Sequence, residues 1–219
     1  MAFVSLLRLV TYICVVLIKL EDFRLINAYV AFVDGEYRVD AERYLNELAF
    51  WASKLALSSD HVMLFTRYQM FDVQPDKRVF GRSYNGFVCD SYYKTSVIKS
   101  ADYFLTVNVA AHELGHNLGA DHDGEDNATA CRADDQFIMA PKAPTFNLFE
   151  PYSRHPYIFS NCSVKAFKDT LKDKMCLRNV GVPYDNEEWN GIIKTMPGQV
   201  YSLDQQCELI KGPGSRFCG

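Results

Sequence analysis

The stretch from His112 to His122 constrains the fold of this chain more than any other part of its sequence. It reads HELGHNLGADH, and the apolar spacing around it predicts a helix. On a helix, His112 and His116 project from one face about one turn apart, because they are four residues apart. Gly119 can adopt the positive φ that ends a helix and reverses the chain, which brings His122 towards the first two rings. The motif therefore predicts a helix, a glycine bend and three imidazoles that converge on one point.

Three neutral imidazoles can bind zinc and leave a fourth coordination position open for water, as catalytic zinc sites do. Zinc lowers the pKa of bound water, and a carboxylate beside that water can take its proton. Glu113 follows the first ligand directly and can face the water. The motif thus predicts a zinc-dependent peptidase in which His112, His116 and His122 bind the metal and Glu113 activates the water that attacks a peptide carbonyl.

The rest of the pattern combines strands and helices, which is typical of a mixed α/β fold. Short apolar runs predict strands at residues 12–18 and 61–66, with weaker strand patterns at 81–89 and 96–98. Apolar residues at helical spacing predict helices at 39–57, 107–118 and 164–175. Asp34-Gly35 predicts a turn, and the weak periodicity of residues 127–160 predicts a long loop.

Charge and hydropathy exclude two kinds of partner. The formal net charge is −4 and the pI is near 5.7, so no basic surplus is available to follow a nucleic-acid backbone. The uncharged run from Leu9 to Ile18 is too short for a membrane helix, which needs about 20 residues. It also lacks the basic start and the small-residue cleavage site of a signal peptide. We therefore interpret this run as part of a buried strand.

The cysteine content favours an oxidising compartment. Seven cysteines in a chain of this size indicate disulfide bonds and hence secretion, and their odd number leaves at least one unpaired. Asn127-Ala128-Thr129 and Asn161-Cys162-Ser163 both fit the glycosylation acceptor pattern, which agrees with secretion and with a surface location. The alternative is an intracellular zinc hydrolase, which the cysteine pattern disfavours.

Two features downstream of the histidines point to a known family. His122 is followed by Asp123, and Phe137-Ile138-Met139-Ala140-Pro141 resembles a Met-turn. In both respects the chain resembles the reprolysin or adamalysin family of metzincin proteases, which includes snake-venom metalloproteases, ADAMs and ADAMTS enzymes, and it is similar to tick salivary metalloproteases. The resemblance implies a metzincin-like catalytic domain with a twisted mixed sheet, an active-site helix and a Met-turn. It also implies that Met139 forms an apolar floor beneath the zinc.

The same resemblance implies further sites. Four cysteines form two disulfides by this likeness, Cys89–Cys176 and Cys131–Cys162. A calcium site would use Asp60, the Cys176 carbonyl and Asn179. Residues 81–89 would form an edge strand on which an extended peptide substrate pairs, and the loop at 139–159 would shape the S1′ pocket.

The resemblance divides the chain into three parts. Residues 1–180 correspond to a reprolysin-like catalytic domain, 181–196 to a linker, and 197–219 to the start of a disintegrin-like or cysteine-rich module. The first strand of the family has no clear counterpart, so we expect an N-terminally truncated domain. Its loss predicts a gap in backbone pairing beside the strand at 12–18.

Two functions follow from these observations. The intact ligand set and Glu113 favour a secreted zinc metalloendopeptidase that hydrolyses extracellular or host proteins. The alternative is a non-catalytic secreted binding module derived from such a protease, which the absent first strand and the short C-terminal module would fit. The sequence gives no indication of the oligomeric state.

Overall fold

The computed structural model describes residues 15–18, 30–33, 35–55, 59–72, 77–100, 103–142, 155–178 and 201–217. The chain divides into two compact units, Met1–Asn179 and Val180–Gly219. The linker predicted at 181–196 lies outside the described residues, as do Cys14, Asn179 and Cys218.

Along the sequence of the first unit, the described strands precede and follow the first helix, and two further helices come after the last strand. The described strands are β1 (Val15–Ile18), β2 (Val30–Val33), β3 (Glu36–Asp40), β4 (His61–Thr66), β5 (Gln69–Phe71), β6 (Arg78–Val79), β7 (Gly81–Ser83) and β8 (Thr95–Lys99). The described helices are α1 (Ala41–Lys54), α2 (Tyr103–Asn117) and α3 (Asn161–Leu171). Short 3-10 turns cover Asp126–Ala128, Ala133–Asp135, His155–Tyr157 and Met175–Arg178.

The main sheet has the strand order β1-β4-β8-β7. β1, β4 and β8 run parallel, and β7 lies antiparallel at the edge beside β8. β4 and β8 are buried along most of their length because helices cover both faces, which explains the apolar run of β4. Successive residues alternate between these faces: Met63 packs in the cluster around α2, whereas Val62 and Leu64 pack in the cluster around α1.

The prediction of a gap in backbone pairing beside the N-terminal strand is wrong for the described strands. β1 pairs directly with β4, and the register runs from Val15 opposite His61 to Ile18 opposite Leu64. The backbone pairing that a missing neighbour would have left open is therefore made by β4 itself. Residues 12–14 of the predicted strand lie outside the described residues.

The chain also forms a second sheet with the strand order β2-β3-β5-β6. Its strand β3 includes Val39, where the sequence predicted the first helix to begin. The turn at Gly35 (φ 81°) joins β2 to β3, as the Asp34-Gly35 pair predicts. Val39, predicted to be helical, is buried in β3 instead. Asp40 ends the strand and caps α1, because its side chain accepts from the backbone N–H of Arg43 at 2.9 Å.

The strand predicted at 81–89 is also shorter than expected. β7 ends at Ser83, and the chain then leaves the sheet in a series of turns. In these turns Gly86 N–H donates to the His116 carbonyl at 2.9 Å and Val88 N–H donates to the Asn117 carbonyl at 3.0 Å. The last carbonyls of a helix have no partner within the helix, so this segment satisfies the C-terminal end of α2 instead of extending the sheet.

The second unit contains the helix α4 (Leu203–Lys211). A reciprocal capping box between Ser202 and Gln205 begins it, and Gly212 (φ 99°) follows its last turn. Cys207 on this helix forms no disulfide with any of the described cysteines. Over the described residues, no helix combines the length and apolarity that crossing a bilayer requires.

Candidate metal centre

α2 places the first two predicted ligands side by side. His112 and His116 lie one turn apart, and their Nε2 atoms are 3.1 Å from each other. The helix packs against the main sheet through Ala110, Ala111 and Leu114, which lie on a different face of the helix from the two histidines. The spacing of the motif therefore produces the expected pair.

The chain reverses at Gly119 and brings in the third ring. Gly119 has φ 99°, and its N–H donates to the His116 carbonyl while Ala120 N–H donates to the Gly115 carbonyl. This pair of bonds is a Schellman motif, in which a glycine ends the helix in a left-handed conformation. After the bend, His122 Nε2 lies 3.3 Å from His112 Nε2 and 3.2 Å from His116 Nε2.

The other ring nitrogens fix the tautomer of each histidine. His112 Nδ1 donates to the Ile138 carbonyl at 2.7 Å, and His116 Nδ1 donates to the Ala120 carbonyl at 2.8 Å. His122 Nδ1 lies 3.0 Å from a carboxylate oxygen of Glu125. With its proton on Nδ1, each ring directs the lone pair of Nε2 towards the other two rings.

This donor set fits zinc. With Zn–N bonds of about 2.0–2.1 Å, tetrahedral geometry puts two ligand nitrogens about 3.3–3.4 Å apart, close to the separations of the three Nε2 atoms. Three converging lone pairs repel one another unless a cation lies between them. Burial lowers the pKa of His112 to about 3 and that of His116 to about 4, with repulsion between the rings as a second cause. Both rings are therefore neutral at pH 7, the form that binds metal.

Glu113 lies next to the first ligand and is only 5% exposed. Burial raises the pKa of its carboxyl to about 8, while the positive charge of Arg82 acts in the opposite direction. The carboxylate of Glu113 therefore binds a proton more tightly than an exposed carboxylate does. A general base needs this property when it takes a proton from water.

The Met-turn segment packs directly under the helix. Met139 is fully buried, and its sulfur would be 2.5 Å from a Cβ placed at Gly115, so the absence of a side chain there permits the contact. The neighbouring Ile138 carbonyl accepts from His112, and the Met139 carbonyl accepts from the N–H of Asp123 at 2.9 Å. Sequence reasoning pointed to Met139 but not to these backbone contacts or to Gly115.

Asp123 connects the loop that follows α2 (residues 118–142, the ligand loop) to α3. Its side chain is buried and accepts from the Ser160 hydroxyl at 2.6 Å. Ser160 is also the N-cap of α3, since its Oγ accepts from the N–H of Ser163. The second carboxylate oxygen of Asp123 has no hydrogen-bond partner in the part of the chain that the structure describes, and burial raises the pKa of this carboxyl. The family resemblance pointed to Asp123, but no pattern in the sequence indicated Ser160.

Among the described residues, Cys89 forms a disulfide with Cys176 and Cys131 forms one with Cys162, the same pairs that the family resemblance implies. The first joins the segment after β7 to the end of the unit, and the second joins the ligand loop to α3. Of the predicted calcium ligands, Asp60 lies near the first disulfide, with a carboxylate oxygen within 4.8 Å of both sulfurs. Those sulfurs are bonded to each other and so bind no metal, and Asn179 lies outside the described residues.

A buried polar network holds the C-terminal end of α2. His61 Nδ1 lies 2.8 Å from Asn117 Oδ1, and its Nε2 lies 2.9 Å from Ser96 Oγ. The Asn117 amide nitrogen donates to the carbonyls of Tyr84 and Tyr93. Burial lowers the pKa of His61 to about 4, so the ring is neutral and bridges the main sheet to the helix that carries the ligands.

Residues 34–181 match the model of the Reprolysin (M12B) family of zinc metalloproteases. The chain belongs to this family. A human protein, a disintegrin and metalloproteinase with thrombospondin motifs 20, is 31% identical over 162 residues, which are 73% of this chain and 8% of that protein. The protein adm-2 of Caenorhabditis elegans, which contains a disintegrin and metalloproteinase domain, is 31% identical over 166 residues, or 73% of this chain and 16% of that protein.

The family model covers both the bend and the catalytic motif, whereas the chain spans only a small part of these relatives' length. Among solved structures, an archaemetzincin from Methanopyrus kandleri is similar with a TM-score of 0.40 and 19% identity, over 62% of this chain and 67% of that chain.

Proposed function

We propose that this chain is the catalytic part of a secreted zinc metalloendopeptidase that hydrolyses peptide bonds in extracellular or host proteins. The observation that carries the proposal is the triangle of Nε2 atoms from His112, His116 and His122, with separations of 3.1–3.3 Å. Glu113 lies beside this triangle on the same helix. Membership of a zinc metalloprotease family supports the same assignment.

Each residue has one role in this mechanism. Bound zinc supplies a Lewis acid that acidifies water and polarises the peptide carbonyl. The three histidines would bind the metal through Nε2 as neutral imidazoles, and their Nδ1 contacts keep the rings oriented. Glu113 takes a proton from the attacking water and then gives it to the nitrogen of the leaving amine. Met139 is proposed as the apolar floor of the site, where it packs against Gly115.

The edge of the main sheet supports a mode of substrate binding. β7 is the last strand in the described sheet, so one side of its backbone has no strand partner there. Extended peptides bind to such edges by adding a strand, and Glu113 lies next to this one. We propose that the substrate peptide pairs with β7 at residues 81–83.

Two observations support secretion. Both disulfides need an oxidising compartment to persist. The sequon residues Asn127 and Asn161 are exposed, so a glycan could be accommodated at either. We also propose residues 1–180 as the catalytic domain, with a linker at 181–196 and the start of a disintegrin-like module at 197–219.

The test is cleavage of a fluorescent casein substrate by the purified full chain, with zinc content measured by mass spectrometry. We expect one zinc per chain and activity that is abolished by a chelator and restored by zinc. Glu113→Ala should keep the metal and lose activity by about 100-fold to 10,000-fold. A folded, zinc-loaded chain without chelator-sensitive cleavage would contradict the proposal and favour the non-catalytic binding module.

A calcium site at Asp60, the Cys176 carbonyl and Asn179 remains part of the proposal. Asp60 lies close to the Cys89–Cys176 disulfide, which supports two of the three proposed calcium ligands, Asp60 and Cys176. Calcium should raise the melting temperature of the wild type but not of Asp60→Asn. An equal response of the two proteins would remove this site from the proposal.

A further inference from the structure

The backbone of the edge strand touches the side chain of Glu113. Gly81 opens β7, where it lies opposite Ile98 of β8. A Cβ atom at Gly81 would lie 2.3 Å from Oε1 of Glu113, 2.5 Å from Cγ and 2.6 Å from Cδ. Ordinary van der Waals contact begins near 3.4 Å. The space that any side chain would need at Gly81 is therefore filled by the carboxylate arm of Glu113.

Backbone conformation does not require glycine at this position. Gly81 is absent from the glycines with positive φ, in contrast to Gly35 and Gly86. Within a strand, glycine is unfavourable because it adds backbone entropy to the unfolded chain and has no side chain to pack. The close approach of the two chain segments is the feature of this structure that calls for glycine here.

Contacts with neighbouring elements hold β7 and oppose its movement away from Glu113. The Lys99 N–H donates to the Phe80 carbonyl at 2.7 Å, next to the start of the strand. Arg82, the following residue, forms an ion pair with Asp72 at 3.1 Å and lies 3.6 Å from Glu42. A Cβ atom at position 81 would therefore displace the Glu113 side chain, which can rotate about its single bonds, before it displaced the strand.

We infer that Gly81 is a positioning residue. Because residue 81 has no side chain, the Glu113 side chain packs directly against its backbone, and this contact determines the position of the carboxylate. The inference rests on the proposed function, in which Glu113 moves the proton. An alanine at position 81 requires the carboxylate to move by about 1 Å, and a misplacement of this size in a catalytic group can lower the rate about 100-fold.

The test compares Gly81→Ala with the wild type, both as the full chain loaded with zinc. We expect kcat to fall about 100-fold, with zinc content unchanged and KM within about threefold, because the metal ligands and the strand edge are retained. Gly35→Ala is the matched control, since its positive φ strains an alanine but nothing lies within 4 Å. That control should lower the melting temperature and leave kcat unchanged. A Gly81→Ala enzyme that keeps kcat within twofold of the wild type would overturn the inference.

A second comparison keeps the inference testable if Gly81→Ala destabilises the chain or if the wild type cleaves no substrate. In a Glu113→Ala background the overlapping atoms are absent, so adding Gly81→Ala should not lower the melting temperature further. A drop as large as in the wild-type background would show that glycine is needed for another reason and would overturn the inference. Failure of the proposed function gives a different result: a wild type that binds zinc and does not cleave.

Discussion

The two halves of the metal centre are held in different ways. The helix half consists of His112 and His116, whose Nδ1 atoms donate to backbone carbonyls of Ile138 and Ala120. The turn half consists of His122, which follows the bend and meets the carboxylate of Glu125. The Glu125 side chain is 54% exposed. One half is therefore anchored by backbone atoms and the other by a solvent-exposed side chain.

Because of this difference, we expect substitutions in the two halves to affect different properties of the protein. A backbone carbonyl remains when a side chain is replaced, so the helix half keeps its partners as long as the fold is intact. The turn half depends on particular side chains and on one glycine. We therefore expect substitutions of the side chains that hold His122 to weaken metal binding while the fold is retained, and substitutions at Gly119 or in the helix half to lower stability as well.

Gly119→Ala should have the largest effect. Alanine in a left-handed conformation costs about 1–2 kcal/mol. Its Cβ would also lie 2.0 Å from Oγ1 of Thr170 and 2.9 Å from its Cβ, and such overpacking costs about 1–3 kcal/mol more. We expect a loss of about 2–5 kcal/mol in the free energy of unfolding and at least a 100-fold loss of zinc affinity, measured by urea titration and chelator competition.

Gly86→Ala is the control for this prediction. Gly86 also has a positive φ, of 80°, but the nearest atom to an added Cβ is 4.0 Å away. It should show the backbone cost alone. Equal losses in the two variants would mean that the contact with Thr170 does not hold the bend.

His61 provides a pH test of the helix half. Its pKa is about 4 in the folded state and about 6.5 in the unfolded chain. The unfolded state thus binds more protons between these values, so stability from the neutral ring is complete above pH 6.5 and is lost as the pH falls towards 4. The loss is on the order of 3 kcal/mol, and His61→Gln should remove this part of the pH dependence.

The measurement is urea unfolding from pH 7 to pH 4.5 at saturating zinc, together with an NMR titration of the His61 ring. The ring should stay neutral through pH 5. A His61 signal that titrates between pH 6 and pH 7 would contradict the network around Asn117.

Ser160→Ala tests the connection between the ligand loop and α3. It removes the N-cap of α3, worth about 1 kcal/mol, and leaves the buried Asp123 carboxyl without its hydroxyl donor, at a further cost of about 1–3 kcal/mol. We expect a total loss of about 2–4 kcal/mol in urea unfolding. Asp40→Ala, which removes a cap without a buried carboxyl, should cost about 1 kcal/mol. Similar losses in both variants would leave the Ser160 to Asp123 bond without a measurable contribution.

The sequence predicted most of the helix half and part of the turn half. Four-residue spacing and Gly119 are local signals, so the convergence of the rings could be expected from them. The partners of the first two rings are carbonyls of Ile138 and Ala120, and the identity of a side chain says nothing about where its carbonyl will lie. Glu125, three residues after His122, carried a usable signal, since a carboxylate at that distance can reach the ring.

The fold errors have the same origin. Val39 fits the apolar pattern of a strand and of a helix, and only the cap formed by Asp40 decides between them. Residues 84–89 suggested a longer edge strand because they include apolar residues. The N–H groups of Gly86 and Val88 pair with α2 instead, a contact between segments that are distant in sequence. Direct pairing of β1 with β4 likewise depends on tertiary contacts and not on the local pattern.

Glu125→Ala should have the smallest effect and tests the comparison most directly. Loss of the carboxylate frees the His122 ring to rotate but leaves the other two ligands in place, and loss of such a supporting contact typically lowers metal affinity about 10-fold to 100-fold. Glu125→Gln keeps an oxygen that can accept from Nδ1, so it should retain part of the affinity. Asp134→Ala removes an exposed acidic side chain elsewhere in the loop and should leave affinity unchanged. If chelator competition gave the same zinc affinity for all three variants, His122 would be held as firmly as His112 and His116, and the two halves would not differ in the way the contacts indicate.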